Sequence, residues 1–125
     1  MKAIDTTVAI DHLRGSRAAT ELLSHLIESE GAVAASEIVR FELLAGVRTS
    51  EVEMLERFFQ AITWIPVDES VARAASGLAR AHRKSHGAID DADYLIAATA
   101  ILLDAELLTT NVRHFPMFPG LRSAY

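Results

Sequence analysis

Three carboxylates, Asp5, Glu42 and Asp93, lie far apart in the chain at positions where they could bind a divalent metal. The local pattern places each of them at the end of a strand or in a helix. A polar stretch at residues 109–115, with the sequence TTNVRHF, follows a late apolar segment. If the fold brings these segments together, they form an oxygen-lined site suited to Mg²⁺ or Mn²⁺. The polar stretch adds no carboxylate, so the acidic set has three members.

Two of the three acids also have ordinary structural explanations. Asp5 can cap a helix that begins beside it, because short polar side chains accept hydrogen bonds from the first free backbone N–H groups. Asp93 stands three residues after Asp90, in the N3 position of a capping box, where the helix dipole also favours a carboxylate. Glu42 differs, because apolar neighbours within residues 38–44 nearly surround it. An unpartnered buried carboxylate is costly, so Glu42 requires a cation, a metal or solvent.

Short apolar segments alternate with longer segments of helical periodicity. The strand candidates are residues 2–4, 32–35, 64–67, 107–109 and 121–125. The helix candidates are residues 7–13, 16–31, 36–46, 50–61, 68–84 and 90–104, with Ser16, Ser36 and either Asp68 or Ser70 as N-caps. This alternation favours right-handed crossovers and a parallel sheet covered on both sides. We therefore predict an α/β fold, a three-layer sandwich with a short, mainly parallel central sheet, in which residues 1–125 form a single domain.

The order of these elements predicts where the polar residues meet. In open parallel sheets, ligands bind beyond the carboxyl ends of the strands. Asp5 follows the first strand and residues 109–111 follow a late strand, so both are expected at the same edge of the sheet. Glu42 and Asp93 lie in helices that can reach this edge. Pro66 marks segment 64–67 as an edge strand or a strand end.

Composition and charge narrow the class of protein. The longest apolar run, residues 94–103, is interrupted by Thr99 and is well short of the roughly 20 residues that cross a bilayer. The N-terminus lacks the pattern of a secretory signal, and the chain has no cysteine for disulfides or thiolate metal sites. These features predict a cytoplasmic protein without a membrane segment. The net charge of −5 argues mildly against a nucleic-acid binder, although ions held by acidic residues reverse the local potential.

Four ordered segments resemble the signature segments of the PIN-domain ribonucleases. They are residues 4–8 (IDTTV), 36–46 (SEIVRFELLAG), 93–100 (DYLIAATA) and 108–115 (LTTNVRHF). The likeness is strongest to the VapC-type toxins of bacterial toxin–antitoxin pairs, and it covers essentially the whole chain. It implies a metal-dependent endoribonuclease that cleaves RNA phosphodiesters with Mg²⁺ or Mn²⁺.

The resemblance also implies roles for individual residues. Asp5, Glu42 and Asp93 match the acidic residues that bind the metal and perform catalysis in the family. Thr6 and Thr7 match the hydroxyl residues that follow the first acid and support the site. The implied reaction is metal-assisted hydrolysis of RNA, in which the ion activates water and offsets charge on the leaving oxygen.

The fourth segment departs from the family pattern. The family usually supplies another Asp or Glu where Asn111 or His114 stands here. Three carboxylates suffice for one Mg²⁺, which keeps several waters, but a second ion loses a ligand. Asn111 can position water through its carbonyl oxygen, and His114 offers a nitrogen that suits Mn²⁺ better than Mg²⁺. Together with Arg113, these residues are predicted to position water or the substrate RNA.

The resemblance further implies partners. VapC-type toxins are typically homodimers that a cognate antitoxin holds inactive, with its C-terminal segment in a groove of the toxin. In this chain the apolar helical faces between residues 16 and 61 either form such a groove or belong to the core. The expected partners are therefore RNA, an antitoxin and a second copy of the chain.

Two other functions account for part of the pattern. Haloacid-dehalogenase-like phosphatases also place an Asp after the first strand, but they need a second Asp where Thr7 stands and a catalytic lysine. The only lysines here are Lys2 and Lys84. A PIN-like module that binds RNA or a partner without catalysis is the stronger alternative, because the acidic set is incomplete. Binding of a divalent metal discriminates this alternative from the nuclease.

Overall fold

A parallel sheet of four short strands forms the centre of the fold in the computed structural model, which describes residues 1–125. The strands are β1 (Lys2–Ile4), β2 (Ala34–Ser36), β3 (Thr63–Ile65) and β4 (Glu106–Leu108). Their order in the sheet is β3-β2-β1-β4, and every neighbouring pair is parallel. The first and last strands are therefore adjacent, and their carboxyl ends open at the same edge of the sheet.

Six helices flank this sheet, as predicted for a three-layer α/β fold. They are α1 (Thr6–Leu13), α2 (Arg17–Glu30), α3 (Glu37–Gly46), α4 (Val52–Gln60), α5 (Glu69–His82) and α6 (Asp91–Leu102). Two short 3-10 turns lie at Thr49–Glu51 and Val112–His114. The parallel sheet confirms the expectation drawn from alternating strands and helices. No helix of the structure has the length and apolar character needed to pass through a bilayer.

Five of the six helices begin where a short polar side chain accepts a hydrogen bond from a free backbone N–H group; α4 is the exception. The Ser16 hydroxyl accepts from the N–H of Ala19 at 3.2 Å. The Asp68 carboxylate accepts from the N–H of Val71 at 3.0 Å. Ser36 caps α3 in the same way, and all three predicted caps are confirmed.

Helix α6 is the most deeply buried helix, and its first turn carries Asp93. It is apolar on nearly every face, and its small side chains let it contact β2, β4, α3 and α5. Ala97, Ala98 and Ala100 have no exposed surface. The apolar run at residues 94–103 is thus a core helix, as its length predicts.

Four of the five predicted strands differ from the observed ones. β2 and β4 each lie within two residues of the segments predicted at 32–35 and 107–109. The prediction of a strand at residues 121–125 is wrong, because this segment makes only two backbone hydrogen bonds, from Leu121 N–H to the Phe118 carbonyl at 3.2 Å and from Ala124 N–H to the Thr109 carbonyl at 2.9 Å. Two isolated hydrogen bonds do not build a strand ladder. The segment predicted at 64–67 corresponds to β3, which ends at Ile65, two residues earlier than predicted. Pro66 therefore lies outside the strand. β3 is at the edge of the sheet, as Pro66 indicated.

Candidate functional site

Asp5 lies at the carboxyl end of β1 and is almost fully buried. It is the N-cap of α1, and its Oδ1 accepts a hydrogen bond from the Thr6 N–H at 2.7 Å. Its backbone N–H donates to the Leu108 carbonyl of β4 at 2.9 Å, so the neighbouring strand holds its position. The capping explanation for Asp5 is therefore correct, and it leaves the second carboxylate oxygen available for other contacts.

That second oxygen is held by two hydroxyl groups. Asp5 Oδ2 accepts from Thr109 Oγ1 at 2.7 Å and from Thr7 Oγ1 at 3.1 Å. Each hydroxyl in turn accepts a backbone N–H of the loop after β4: Thr109 from Asn111 at 2.9 Å, and Thr7 from Thr110 at 3.3 Å. This network fixes the loop against the start of α1 and orients the Asp5 carboxylate.

Glu42 is joined to the start of α1 by Thr6. Thr6 Oγ1 donates to Glu42 Oε1 at 2.7 Å. The expectation that apolar residues nearly surround Glu42 is wrong, because Phe41 and Leu44 are exposed and Glu42 itself is half-buried. Partial burial still raises the pKa of Glu42, the Thr6 hydrogen bond lowers it, and the charges of Asp90 and Asp5 raise it. Glu42 thus has a polar partner and faces the other acids.

Asp93 occupies both a structural and a candidate functional position. Its N–H donates to Asp90 Oδ1 at 3.0 Å, and the Asp90 N–H donates to Asp93 Oδ2 at 3.2 Å, which completes the predicted capping box. Burial raises the pKa of Asp93 to about 6, and the charges of Asp90 and Asp5 contribute to the rise. The Asp90 N–H and the charge of His114 act in the opposite direction. A capping role alone does not explain why a carboxylate is placed where burial and neighbouring negative charges disfavour its ionised form.

The loop after β4 brings a nitrogen group to Asp93. His114 Nδ1 lies 3.0 Å from Asp93 Oδ2 and 2.8 Å from Asn111 Nδ2. One nitrogen cannot accept from Asn111 and donate to Asp93 at the same time. His114 therefore donates to Asp93 only when the Asn111 amide turns its oxygen toward the ring. Arg113, between them in sequence, is exposed and forms no ion pair or hydrogen bond with another side chain.

The acids share one edge of the sheet without forming a closed cage. In addition to burial, the charges of Asp90 and Asp5 raise the pKa of Glu42 and of Asp93, so both of these acids lie within reach of the charges of Asp5 and Asp90. No group of three Asp, Glu, His or Cys side chains converges closely enough to hold a metal ion directly. The oxygen-lined cage expected from the sequence is therefore an open cluster of acids in this structure.

The roles of two residues at the site were not predicted from the sequence. Thr109 makes the shorter of the two hydroxyl contacts to Asp5, and Asp90 acts on Glu42 and Asp93 through its charge. The repeated hydroxyls at residues 109–110 and the acids at 90, 91 and 93 were the available signals. Both residues appear ordinary in sequence, because a threonine after a strand and an aspartate before a helix have common structural roles.

Comparisons with known proteins agree with this fold. Residues 2–118 match the family model of the PIN domain, so the chain belongs to the PIN-domain family. It is 63% identical to ribonuclease VapC19 of Mycobacterium tuberculosis, with 100% of both chains covered. It is 40% identical to ribonuclease VapC10 of the same organism, covering 100% of this chain and 93% of that protein. The resemblance to VapC-type proteins inferred from four segments is confirmed.

A solved structure gives the same relationship at the level of the fold. The chain is similar to a toxin–antitoxin complex from Klebsiella pneumoniae, with a TM-score of 0.76 and 26% identity. The similarity covers 100% of this chain and 98% of that chain. PIN-domain ribonucleases generally depend on a divalent metal.

Proposed function

We propose that this chain is a divalent-metal-dependent endoribonuclease and the toxin of a toxin–antitoxin pair that acts in the cytoplasm. The observation that carries the proposal is the grouping of Asp5, Glu42 and Asp93 beyond the carboxyl ends of β1 and β4. Its full-length relatives are VapC ribonucleases. The catalytic and metal-binding roles of the three acids remain our assignment.

The donor set suits a hard divalent cation. Asp5, Glu42 and Asp93 offer only oxygen atoms. Burial, and then the charges of Asp90 and Asp5, raise the pKa of Glu42 and Asp93, and a cation bound there would offset both effects. Mg²⁺ keeps several of its waters, so an open cluster of acids can hold it partly through water. We assign Mg²⁺ as the ion, with Mn²⁺ as a substitute that tolerates the nitrogen of His114.

The residues of the chain then have distinct tasks. The bound ion supplies a Lewis acid that activates water and offsets charge on the leaving oxygen. Asp5 anchors the ion, because Thr7, Thr109 and the first N–H of α1 fix its carboxylate. Glu42 and Asp93 complete the carboxylate set. His114 and Asn111 orient water or substrate at the edge of the cluster.

RNA needs a cationic contact near these acids. Arg113 is exposed beside His114 and has no acidic partner in the protein, so its guanidinium is available to a phosphate. Arginine is suited to this role because its planar fork matches two phosphate oxygens. We therefore assign Arg113 to substrate binding.

The antitoxin would occupy an apolar groove next to Glu42. A cavity of about 400 Å³ lies between α1, α3 and α4, and Glu42 forms part of its wall. Leu13, Leu43 and Met54 line it, with Arg14 and Arg48 among the charged residues. A peptide with an apolar face would fill this groove and block access to Glu42. The homodimer expected from the family likeness remains part of the proposal.

One experiment tests the nuclease directly. The purified chain is incubated with RNA in Mg²⁺, in Mn²⁺ and in EDTA, and the products are resolved by gel electrophoresis. We expect cleavage with either ion and none in EDTA. Cleavage that persists unchanged in EDTA would contradict metal dependence.

A non-catalytic binding module is the second candidate. It is favoured by the absence of three side chains that hold a metal directly. Calorimetric titration with Mn²⁺ distinguishes the two functions. Binding in the micromolar to millimolar range that Asp5→Asn abolishes supports the nuclease, whereas no binding at millimolar Mn²⁺ supports the module.

A further inference from the structure

A second region of the molecule combines positive charge with a cleft. Residues 80–86, with the sequence RAHRKSH, contain two arginines, a lysine and two histidines, and no acid. They form the last turn of α5 and the turn that follows it. In a chain of net charge −5, this is a local concentration of cationic groups that the proposed catalytic site does not use.

These residues border a cavity between α5 and the start of α6. Its volume is about 680 Å³, and Arg80, Arg83 and Lys84 line it from the last turn of α5 and the turn that follows. Asp91 and Tyr94 line it from α6. All three basic side chains belong to exposed residues, so solvent and large ligands reach them. We call this cavity the basic cleft, and it is defined by Arg80, Arg83, Lys84, Asp91 and Tyr94.

Arg80 and Lys84 have no side-chain partner within the protein. Neither forms an ion pair or a side-chain hydrogen bond, whereas Arg83 pairs with Asp91 at 2.8 Å. The Arg83 guanidinium also lies 5.9 Å from the centre of the Tyr94 ring, which helps to orient it. One cation in the last turn is enough to offset the helix dipole. The remaining positive charge is available to an anion.

Tyr94 forms part of the wall of the cleft. Its side chain is almost fully buried, and its hydroxyl, which has no hydrogen-bond partner, is shielded from solvent. The contacts that the cleft offers to an anion therefore come from its exposed cationic side chains.

The basic cleft lies next to the proposed catalytic acids. The first turns of α6 carry Asp93, which faces His114, and also Asp91 and Tyr94, which face the cleft. The diameter of a helix with its side chains is about 10–12 Å. A flexible RNA strand spans this distance within a few nucleotides.

We propose that the basic cleft binds backbone phosphates of the RNA a few nucleotides away from the bond that is cut. This inference rests on the proposed function, since it concerns the same substrate. Phosphate contacts by Arg and Lys supply affinity without reading sequence. The cleft therefore contributes to RNA affinity and leaves the choice of cleavage position to the catalytic edge.

The test compares two double variants with the same change in net charge. Arg80→Gln/Lys84→Gln removes the unpaired charges of the cleft, and Arg17→Gln/Arg57→Gln removes two exposed charges on α2 and α4. Glutamine is a good helix former, so both variants should fold, which thermal unfolding checks. Arg80→Gln and Lys84→Gln alone serve as milder changes. Both double variants are made in a full-length Asp5→Asn background, so that RNA is not cleaved.

Affinity is measured by fluorescence anisotropy with a labelled single-stranded RNA of mixed sequence, in Mg²⁺ at several salt concentrations. We expect Arg80→Gln/Lys84→Gln to raise Kd about fivefold or more and to lower the salt slope by about 1.4, since each phosphate contact to a single strand contributes about 0.7. The Arg17→Gln/Arg57→Gln control should stay within about twofold of its parent.

The outcomes separate this inference from the proposed function. Equal Kd and equal salt slope in the two double variants would overturn the basic cleft as an RNA site, as would a parent that binds no RNA. If the wild type cleaves no RNA with Mg²⁺ or Mn²⁺ while the cleft variant still loses affinity selectively, the nuclease fails and the cleft remains.

Discussion

Thr6 Oγ1 donates a hydrogen bond to Glu42 Oε1 at 2.7 Å and so links the start of α1 to the middle of α3. The neighbouring Asp5 accepts the N–H of the same threonine at 2.7 Å. One residue therefore orients two of the three candidate catalytic acids. This explains why Thr6 is buried although its hydroxyl makes no contact within its own helix.

Replacing Thr6 tests this link. In Thr6→Val the hydroxyl is lost and the shape is kept, so Glu42 loses the hydrogen bond that lowers its pKa. A hydrogen bond to a charged group contributes about 1.5–3 kcal/mol, so we expect RNA cleavage to fall about tenfold or more. Single-turnover cleavage in Mg²⁺ measures the effect.

Thr6→Ser is the matched control, because it keeps the hydroxyl. We expect it to retain most of the wild-type rate, and Thr6→Val to shift the pH profile upward. Equal rates in both variants and an unchanged pH profile would show that the Thr6 to Glu42 contact has no role in catalysis.

The pKa of Asp93 makes stability depend on pH. Its folded pKa is about 6 against 3.8 for the free side chain, so the folded state binds the proton more tightly. This contribution to stability is present below about pH 4 and is lost as the pH rises through about 6. In EDTA, the free energy of unfolding of the wild type should therefore fall by about 1–3 kcal/mol relative to that of Asp93→Asn between pH 4 and pH 7. Urea unfolding at each pH measures the difference.

Asp93→Asn cannot titrate, and it keeps a side-chain oxygen for the capping box. If the two proteins differ by the same free energy of unfolding across this pH range, the pKa of Asp93 is not raised. Addition of Mg²⁺ at pH 7 should stabilise wild type more than Asp93→Asn, because the cation relieves the repulsion among the acids.

Sequence patterns within a few residues predicted much of the fold. They could not predict which distant residues contact each other. Caps at Ser16, Ser36 and Asp68 depend on neighbours within three residues, so sequence patterns reveal them. Thr109 bonds Asp5 across 104 positions of the chain, and only the folded sheet brings them together. The strand predicted at residues 121–125 failed for the same reason, since strand formation depends on a partner and not on local pattern alone.

Tyr94 offers a test of the unpartnered hydroxyl. Tyr94→Phe removes a buried polar atom that has no partner in the protein, so we expect unfolding stability to stay equal or rise by up to about 1 kcal/mol. The control Tyr125→Phe removes a hydroxyl that donates to Asp11 at 2.6 Å and should be neutral or destabilising. Urea unfolding compares them. A loss of more than about 1 kcal/mol in Tyr94→Phe would reveal a hydrogen bond that the hydroxyl makes.

Met54 tests the proposed antitoxin groove. It is exposed and lines the apolar cavity beside Glu42, so Met54→Glu should leave the fold intact and place a charge in the groove. We expect binding of the cognate antitoxin to weaken about tenfold or more, since a charge without a partner is costly to bury. Val67→Glu, at an exposed position outside the groove, is the control. Equal capture by both variants would place the antitoxin elsewhere.

The central claim is that Asp5, Glu42 and Asp93 act together on RNA. Its most direct test is the single-turnover cleavage rate in Mg²⁺ of Asp5→Asn, Glu42→Gln and Asp93→Asn. The control is Glu37→Gln, which changes a partly buried acid that pairs with Arg40 at the start of the same helix as Glu42. We predict losses of about a hundredfold or more in each of the three and a rate within about threefold of wild type for Glu37→Gln. Wild-type rates in any of the three acid variants would contradict the account.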